Sequence, residues 1–138
     1  MGSEETFGAG PTSCSAGSLT PAQMDLVIRS LPVQVSVMDE DGIMVYWRGD
    51  GFDDCDPDSI GAHVNESHNA DSQRKIADIE ASFRDGSRNV VVHASVDDGR
   101  QMLTCYAPLR SADGAYRGMV STMQDITGVA DRSSNSAP

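Results

Sequence analysis

Two parts of the chain repeat apolar residues at helical spacing. The first helix is predicted over residues 21–31, where intervals of three and four separate the apolar side chains of Met24, Val27, Ile28 and Leu31. Thr20 is suited to the N-cap, and Gln23 three positions later completes the pattern of a capping box. Pro32 cannot continue a helix, so we expect the helix to end before it.

The second helix is predicted over residues 65–85 in the middle of the chain. Ile76, Ile79 and Phe83 fall on one side of it, so this side is expected to be buried. Asp85 and Gly86 mark its end. His68, one of three histidines, lies at its start.

Elsewhere the hydrophobic period changes to two, which is typical of half-buried strands. Strands are predicted over residues 33–38, 43–48, 89–96, 101–109 and 116–126. Asp-Gly turns separate them within the first pair and within the last three, which favours a hairpin and an antiparallel meander. Because two strands cannot bury a face alone, the hairpin is expected to join the meander. The prediction is an α+β fold: a five-stranded antiparallel sheet with helices on one face, an N-terminal amphipathic helix, and a pocket between helix and sheet.

The same alternation assigns side chains to the two faces of the sheet. Val33, Val35 and Val37 share one face of the first strand, the pattern of a half-buried strand. His93 falls on the face opposite Val92 and Ala94. We therefore expect His93 to face solvent.

Composition narrows the function classes. The chain carries 10 basic and 21 acidic residues, a formal charge of -11, which argues against nucleic acid and anionic membranes as partners. No apolar run approaches the roughly 20 residues that cross a bilayer. The N-terminus lacks the basic and apolar stretches of a secretory signal, so a cytoplasmic location is expected.

Residues 1–18 are rich in Gly, Ser and Thr and are predicted to be disordered or tag-like. Residues 19–127 form the predicted domain. Residues 128–138 are predicted to be a flexible tail, too short for an effector domain.

Cysteine and aspartate patterns argue against two kinds of metal site. Cys14, Cys55 and Cys105 are far apart, which supports neither a zinc site nor a disulfide framework. The segment 49–61 holds five aspartates, and Asp54, Asp56 and Asp58 have the spacing of the first ligands of a calcium-binding EF-hand loop. Ser59 and Asn65, however, stand where such a loop needs a glycine and a closing glutamate. A solvated acidic loop is the better interpretation.

The order of elements and several short motifs resemble a PAS sensory domain over about residues 19–127. The motifs are Leu31-Pro32, Asp39-Glu40-Asp41-Gly42, Ser59-Ile60-Gly61, Asp113-Gly114, and the closing Gln124-Asp125-Ile126-Thr127. The resemblance implies a bacterial sensor or signal-transduction module. It also implies that the helix at residues 21–31 is a surface for homodimer formation.

More narrowly, the chain is similar to the PAS module that is fused to hemerythrin-like domains in bacterial proteins of unknown function. That module has the run Asn-Cys-His-Pro-Pro-Lys-Ser at the entry of the main helix. Residues 66–72 match it only at His68 and Ser72. Functions that need the cysteine or the lysine are therefore not implied.

Candidate ligand contacts lie on the main helix and the last two strands, because one face of these strands must look at the helix. They are His68, Ile76, Ile79, Phe83, Tyr106, Met119 and Met123. Methionine side chains are adaptable and suit a pocket for an apolar or planar ligand, although a filled core without ligand explains them equally well. His68 is a candidate axial ligand of haem iron, and its alternative role is to cap the helix or bond a loop.

These features suggest three functions, which differ in how well the sequence supports them. The first is a sensory module that binds a small ligand or a partner. The second is a haem-binding redox or gas sensor with His68 as metal ligand. An enzyme ranks last, because no nucleophile with a base and an orienting group emerges. Flavin photochemistry needs a cysteine before the main helix, and residues 61–67 contain none.

Overall fold

The computed structural model describes residues 15–49 and 57–129, together with the backbone of residues 3–6. Its helices are α1, Pro21–Ser30, and α2, Ala70–Arg84, with short 3₁₀ helices at Pro57–Ser59 and Val64–Ser67. Its strands are β1, Ser3–Thr6; β2, Gln34–Asp39; β3, Met44–Arg48; β4, Val91–Asp97; β5, Arg100–Arg110; and β6, Tyr116–Asp125.

The strands form one antiparallel sheet in the order β1-β4-β5-β6-β2-β3. The hairpin β2–β3 joins the meander β4–β5–β6 through pairing of β2 with β6, where Val35 lies opposite Thr122. The predicted α+β fold with its five strands is thereby confirmed. Because β2 sits beside the last strand, the two ends of the domain meet in the middle of the sheet.

A sixth strand, β1, was not expected from the sequence. Its backbone pairs with β4, with Glu4 opposite His93, so Ser3–Thr6 is not loose as residues 1–18 were predicted to be. The edge of β4 offers unpaired backbone groups, which an extended segment can satisfy whatever its side chains are. The segment Ser-Glu-Glu-Thr has no apolar alternation that would have indicated a strand.

The start of α1 follows the prediction. Gln23 donates its backbone N–H to the Thr20 hydroxyl at 3.1 Å, and Thr20 donates its backbone N–H to the Gln23 amide oxygen at 2.9 Å. This reciprocal pair is a capping box. None of the residues of α1 is buried, so its apolar side lies open in the described part of the chain.

The main helix starts later than predicted. Asn69 is the N-cap of α2, and its side-chain oxygen accepts from the backbone N–H of Ser72 at 2.9 Å. Residues 64–67 form a separate 3₁₀ helix, and His68 lies in the break between the two helices. The prediction of a continuous helix from residue 65 was wrong because Asn69 caps a new helix after the short 3₁₀ helix has ended.

The densest part of the core lies under the C-terminal half of α2. Ile79, Phe83 and Val91 have no exposed surface, and Met119 and Tyr116 retain 4% and 8%. They form one cluster between α2 and the sheet.

Cross-strand partners show which face of the sheet meets α2. Directly opposed residues of antiparallel strands share a face. Ser36 opposes Ser121, and Met38 opposes Met119, a member of the core under α2. The face that contains them is called the inner face here, and the opposite face, which contains Val35 and Thr122, the outer face.

His93 lies on the inner face, where it opposes Thr104. The Lys75 Nζ atom of α2 lies 3.2 Å from His93 Nδ1. The expectation that His93 faces solvent was wrong. Both faces of this sheet carry apolar side chains, so alternation reveals the period but not which face turns inward.

Candidate functional site

A cavity of about 290 Å³ lies between the N-terminal half of α2 and the inner face. Its walls combine the sheet, the 3₁₀ helices and one residue of α2. The described residues that line it are Gln34, Ser36, Met38, Met44, Trp47, Ser59, Val64, Ser67, His68, Ile76, Thr104, Tyr106, Met119, Ser121 and Met123. The two halves of α2 therefore differ, since one covers a packed core and the other a void.

The sheet contributes a wall built in rows across neighbouring strands. In one row, Met123 lies between Gln34 and Thr104. In the next row, Ser121 lies between Ser36 and Tyr106. Strands are about 4.8 Å apart, so these side chains are adjacent.

The middle of this wall is polar although it faces the interior. Gln34 and Thr104 retain only 5% and 6% of their surface, and Ser36 and Ser121 are half-buried. Buried polar side chains are more informative than exposed apolar ones, because removing them from water costs free energy unless they are hydrogen-bonded. The interior carries hydrogen-bonding groups where a simple core would carry aliphatic ones.

Apolar side chains frame the polar wall. Met38, Met44 and Met119 bound it on one side, and Ile76 of α2 faces it from above. Trp47, the only tryptophan of the chain, also lines the cavity. A Cβ atom at position 49 would collide with the Trp47 ring, so Gly49 leaves room for this ring beside the backbone.

His68 lies at the exposed edge of the cavity with a fixed ring. Its Nδ1 lies 2.8 Å from the carbonyl oxygen of Val64 and 3.1 Å from the Ser67 hydroxyl. A carbonyl oxygen only accepts, so Nδ1 carries the proton in this bond and Nε2 of a neutral ring carries the lone pair. Nε2 is therefore the atom that could accept a hydrogen bond or bind a metal.

The 3₁₀ helix before His68 is held against the β2–β3 hairpin. Val64 donates its backbone N–H to the carbonyl oxygen of Gly42 at 2.8 Å, and the His63 ring packs on Gly42. A Cβ atom at Gly42 would lie 2.6 Å from His63 Nε2, and this residue has a φ of 79° that favours glycine. His63 Nδ1 accepts from the backbone N–H of Asn65 at 3.0 Å, so His63 caps this helix.

Five of the seven predicted site residues line the cavity, namely His68, Ile76, Tyr106, Met119 and Met123. Ile79 and Phe83 lie fully buried in the neighbouring core. The sequence prediction missed the polar residues of the sheet wall, above all Gln34 and Thr104, and it also missed Trp47. The methionines could have indicated which face turns inward, because Met38, Met102, Met119 and Met123 all lie on the inner face.

The other metal and cysteine sites considered from the sequence are not formed by the described residues. No three His, Cys, Asp or Glu side chains come together there as a metal site, so His68 is a candidate ligand by itself. Cys105 pairs with Val92 and Thr122 on the outer face, opposite to His93. Cys14, Cys55 and the aspartates of residues 50–56 lie outside the described residues.

Tyr116 shows how closely the filled end of the inner face is packed. Burial raises the pKa of Tyr116 to about 12, and the nearby Glu80 carboxylate adds to this rise while Arg84 opposes it. The Arg84 guanidinium lies 4.6 Å from the centre of the Tyr116 ring. The phenol stays neutral at any ordinary pH.

Aspartates at three turns are stabilised as carboxylates by neighbouring hydroxyl groups. The hydroxyls of Ser87, Ser111 and Thr127, together with backbone N–H groups, lower the pKa values of Asp85, Asp113 and Asp125 respectively. Asp125 and Thr127 close the end of β6, and the Thr127 hydroxyl accepts from the backbone N–H of Gln101 at 2.9 Å. Asp125 and Thr127 therefore fix the end of β6, one of the strands of the cavity wall.

Comparison with known proteins identifies the family of this chain. The family model described as PAS domain matches residues 24–127. The chain belongs to the PAS domain family. PAS domains are generally sensory, non-catalytic signalling modules.

Solved structures share the PAS fold at low sequence identity. A C-terminal domain from Streptococcus mutans has a TM-score of 0.73 at 22% identity, covering 94% of this chain and 96% of that one. The PAS domain of the histidine kinase ThkA has a TM-score of 0.53 at 16% identity, covering 69% and 100%. An RNA-binding Light-Oxygen-Voltage receptor has a TM-score of 0.63 at 16% identity, covering 96% and 41%. At these identities the likeness shows the fold alone.

No curated protein matches the sequence. Within the described residues, none of the helices has the length and apolar character needed to cross a membrane.

Proposed function

We propose that this PAS domain is a sensory module that binds a small ligand in the cavity between α2 and the inner face. The observation that carries the proposal is the buried polar wall around Gln34 and Thr104, beside a void of about 290 Å³. Native interiors are close-packed, and polar groups inside them need partners. A ligand would fill the void and could form hydrogen bonds with the polar groups of this wall.

Trp47 gives a direct test because it is the only tryptophan and lines the cavity. Benzyl alcohol, a small neutral probe, is expected to change Trp47 fluorescence in a saturable way. Ser121→Leu should abolish this response by filling the cavity. Thr122→Leu is the matched control, since the next residue of β6 points to the outer face. Equal responses of both variants would refute binding in the cavity.

Haem binding is the second candidate function, and the fixed ring of His68 favours it. The bond from Nδ1 to the Val64 carbonyl resembles the orienting bond that metal-binding histidines make with their second nitrogen. The cavity of about 290 Å³, however, is slightly smaller than the roughly 300–1,000 Å³ typical of ligand pockets. A porphyrin would require α2 to move away from the sheet, whereas a smaller molecule fits without this movement.

Absorption spectroscopy separates the two candidates. Protein titrated with haemin should show no Soret band that depends on His68 if the site takes a smaller ligand. A Soret band that is present in the wild type and lost in His68→Ala would favour haem. His63→Ala is the control, because His63 caps the neighbouring 3₁₀ helix.

We further propose that α1 forms a homodimer contact. Its apolar side chains are exposed, with 48% for Met24, 45% for Val27 and 38% for Ile28, and the C-cap residue Leu31 is also 38% exposed. An exposed apolar stripe of this kind is typical of an interaction surface. Val27→Glu should convert a dimer to a monomer in light scattering, and Ala22→Glu, on the opposite side of α1, should not. A wild type that is monomeric at high concentration would remove this proposal.

Three finer predictions keep their basis in the sequence alone. They are the similarity to modules fused to hemerythrin-like domains, a bacterial origin and a cytoplasmic location. The absence of enzymatic activity is likewise a proposal, supported by the generally non-catalytic role of PAS domains.

A further inference from the structure

We propose that the cavity selects an uncharged molecule with an amide-like head and an apolar body of one or two rings. This inference rests on the proposed function, because it names the class of ligand for the same site. Its basis is the chemistry of the wall, divided into a polar region on the sheet and an apolar surround.

The described part of the wall offers no carboxylate, ammonium or guanidinium group to balance a charged ligand. Among the described residues that line the cavity, none is Asp, Glu, Lys or Arg. A charged group that leaves water without a partner of opposite charge loses much of its hydration free energy. The formal charge of -11 for the whole chain further disfavours anions. The ligand is therefore uncharged.

The polar region matches a head that both donates and accepts. Gln34 carries an amide, which has two N–H donors and one carbonyl acceptor. Thr104, in the same row of the sheet, and Ser36 and Ser121, in the next row, carry hydroxyls that do both. An amide or lactam meets such groups with its own donor and acceptor together, whereas a hydrocarbon would leave them without ligand bonds.

The apolar surround determines the rest of the ligand. Trp47, Ile76 and Met119 lie around the polar region and provide aromatic and aliphatic surface. A volume of about 290 Å³ corresponds to roughly ten water molecules. The body that fills it is a ring or two fused rings.

Three probes with the same phenylpropyl body and different heads test the proposal. They are hydrocinnamamide, which is neutral and polar, hydrocinnamate, which is anionic at neutral pH, and propylbenzene, which has no polar head. Binding is followed by Trp47 fluorescence. We expect hydrocinnamamide to bind roughly tenfold more tightly than either of the others, the effect of about one hydrogen-bonded group.

A pair of isosteric variants locates the head. Thr104→Val removes one hydroxyl from the inner face and should weaken hydrocinnamamide roughly fivefold to tenfold while leaving propylbenzene unchanged. Thr122→Val removes a hydroxyl from the outer face and should leave both probes unchanged. Circular dichroism confirms that both variants are folded.

The outcomes distinguish the class of ligand from the site itself. Tightest binding of hydrocinnamate or propylbenzene, or equal effects of Thr104→Val and Thr122→Val, would overturn the amide-like class and leave the cavity as a ligand site. A fluorescence signal unchanged by all three probes and by benzyl alcohol would overturn the class and the proposed function together.

Discussion

The two faces of the sheet differ in a way that reverses simple expectation. The outer face collects Val35, Val37, Val92 and Val120, which are buried or half-buried. The inner face, which meets α2, collects glutamine, serine, threonine and methionine. The more regular aliphatic surface thus lies away from the main helix.

The inner face itself has two regions, one closely packed and one that lines a cavity. Under Phe83 and Ile79 it is closely packed, and its core residues there retain at most 8% of their surface. Under Ile76 it carries hydrogen-bonding groups and a void. The same helix covers both regions, so substitutions one or two turns apart should have different consequences.

The largest expected effect is at the packed end. Phe83→Ala should lower the free energy of unfolding by about 3–5 kcal/mol, since it removes a fully buried ring and leaves a cavity. Ile76→Ala, on the wall of the existing cavity, should cost less than about 2 kcal/mol because fewer packing contacts are lost there. Urea denaturation of both variants measures the difference, and equal costs would contradict the division of α2 into two regions.

The next effect concerns alkaline pH and Tyr116. Its pKa is about 12 in the folded protein, against 10.0 for a tyrosine side chain that is free in water. The unfolded state therefore loses its proton first, so stability is fully present below pH 10 and falls as pH rises toward 12. We expect Tyr116 to account for roughly 2 kcal/mol of this fall.

The measurement compares denaturation of wild type and Tyr116→Phe between about pH 9 and pH 12. The stability of the wild type relative to that of Tyr116→Phe should fall as pH rises, since phenylalanine cannot ionise. A constant difference would mean that Tyr116 titrates normally in the folded state.

A smaller effect is expected from filling the void. Ser121→Leu should raise the free energy of unfolding of the unliganded protein by about 0.5–2 kcal/mol, as cavity-filling substitutions often do. Thr122→Leu, on the outer face, should gain nothing from the cavity. Thermal unfolding followed by circular dichroism compares the two, and destabilisation by Ser121→Leu alone would argue that the wall is already filled.

The smallest effect lies at the strand ends. The lowered pKa of Asp125 means that its bonds to Thr127 persist at neutral pH and are lost only as pH falls through this lowered pKa. The amide proton signal of Thr127 should therefore shift in strong acid in the wild type. In Asp125→Asn this acid-dependent shift should disappear, and its persistence would assign it to another group.

Short sequence motifs predicted the fold well because each depends only on neighbouring residues. The capping box at Thr20, the Asp-Gly turns and the period-two runs each determine a few residues of backbone. They were sufficient for the two helices, the hairpin and the meander. They were insufficient for β1, because its pairing depends on the free edge of β4 and not on its own side chains.

The candidate site was harder to predict because it depends on which face turns inward. The valines of β2 suggest a buried side by themselves, but pairing with β6 turns Gln34 and Ser36 toward α2. The start of α2 was also hard to predict, because several polar residues before it could act as the N-cap and Asn69 is the one that does. The sequence did point to His68, Met119 and Met123, which line the cavity, since these residue types stand out in any arrangement.

Nuclear magnetic resonance of isotope-labelled methionine methyl groups tests the central claim most directly. Four methionines line the cavity, namely Met38, Met44, Met119 and Met123, whereas Met24 lies on α1 and serves as an internal control. On addition of hydrocinnamamide, the account predicts saturable shifts of the four cavity signals and an unchanged Met24 signal. Shifts at Met24 with no change in the cavity signals would contradict it.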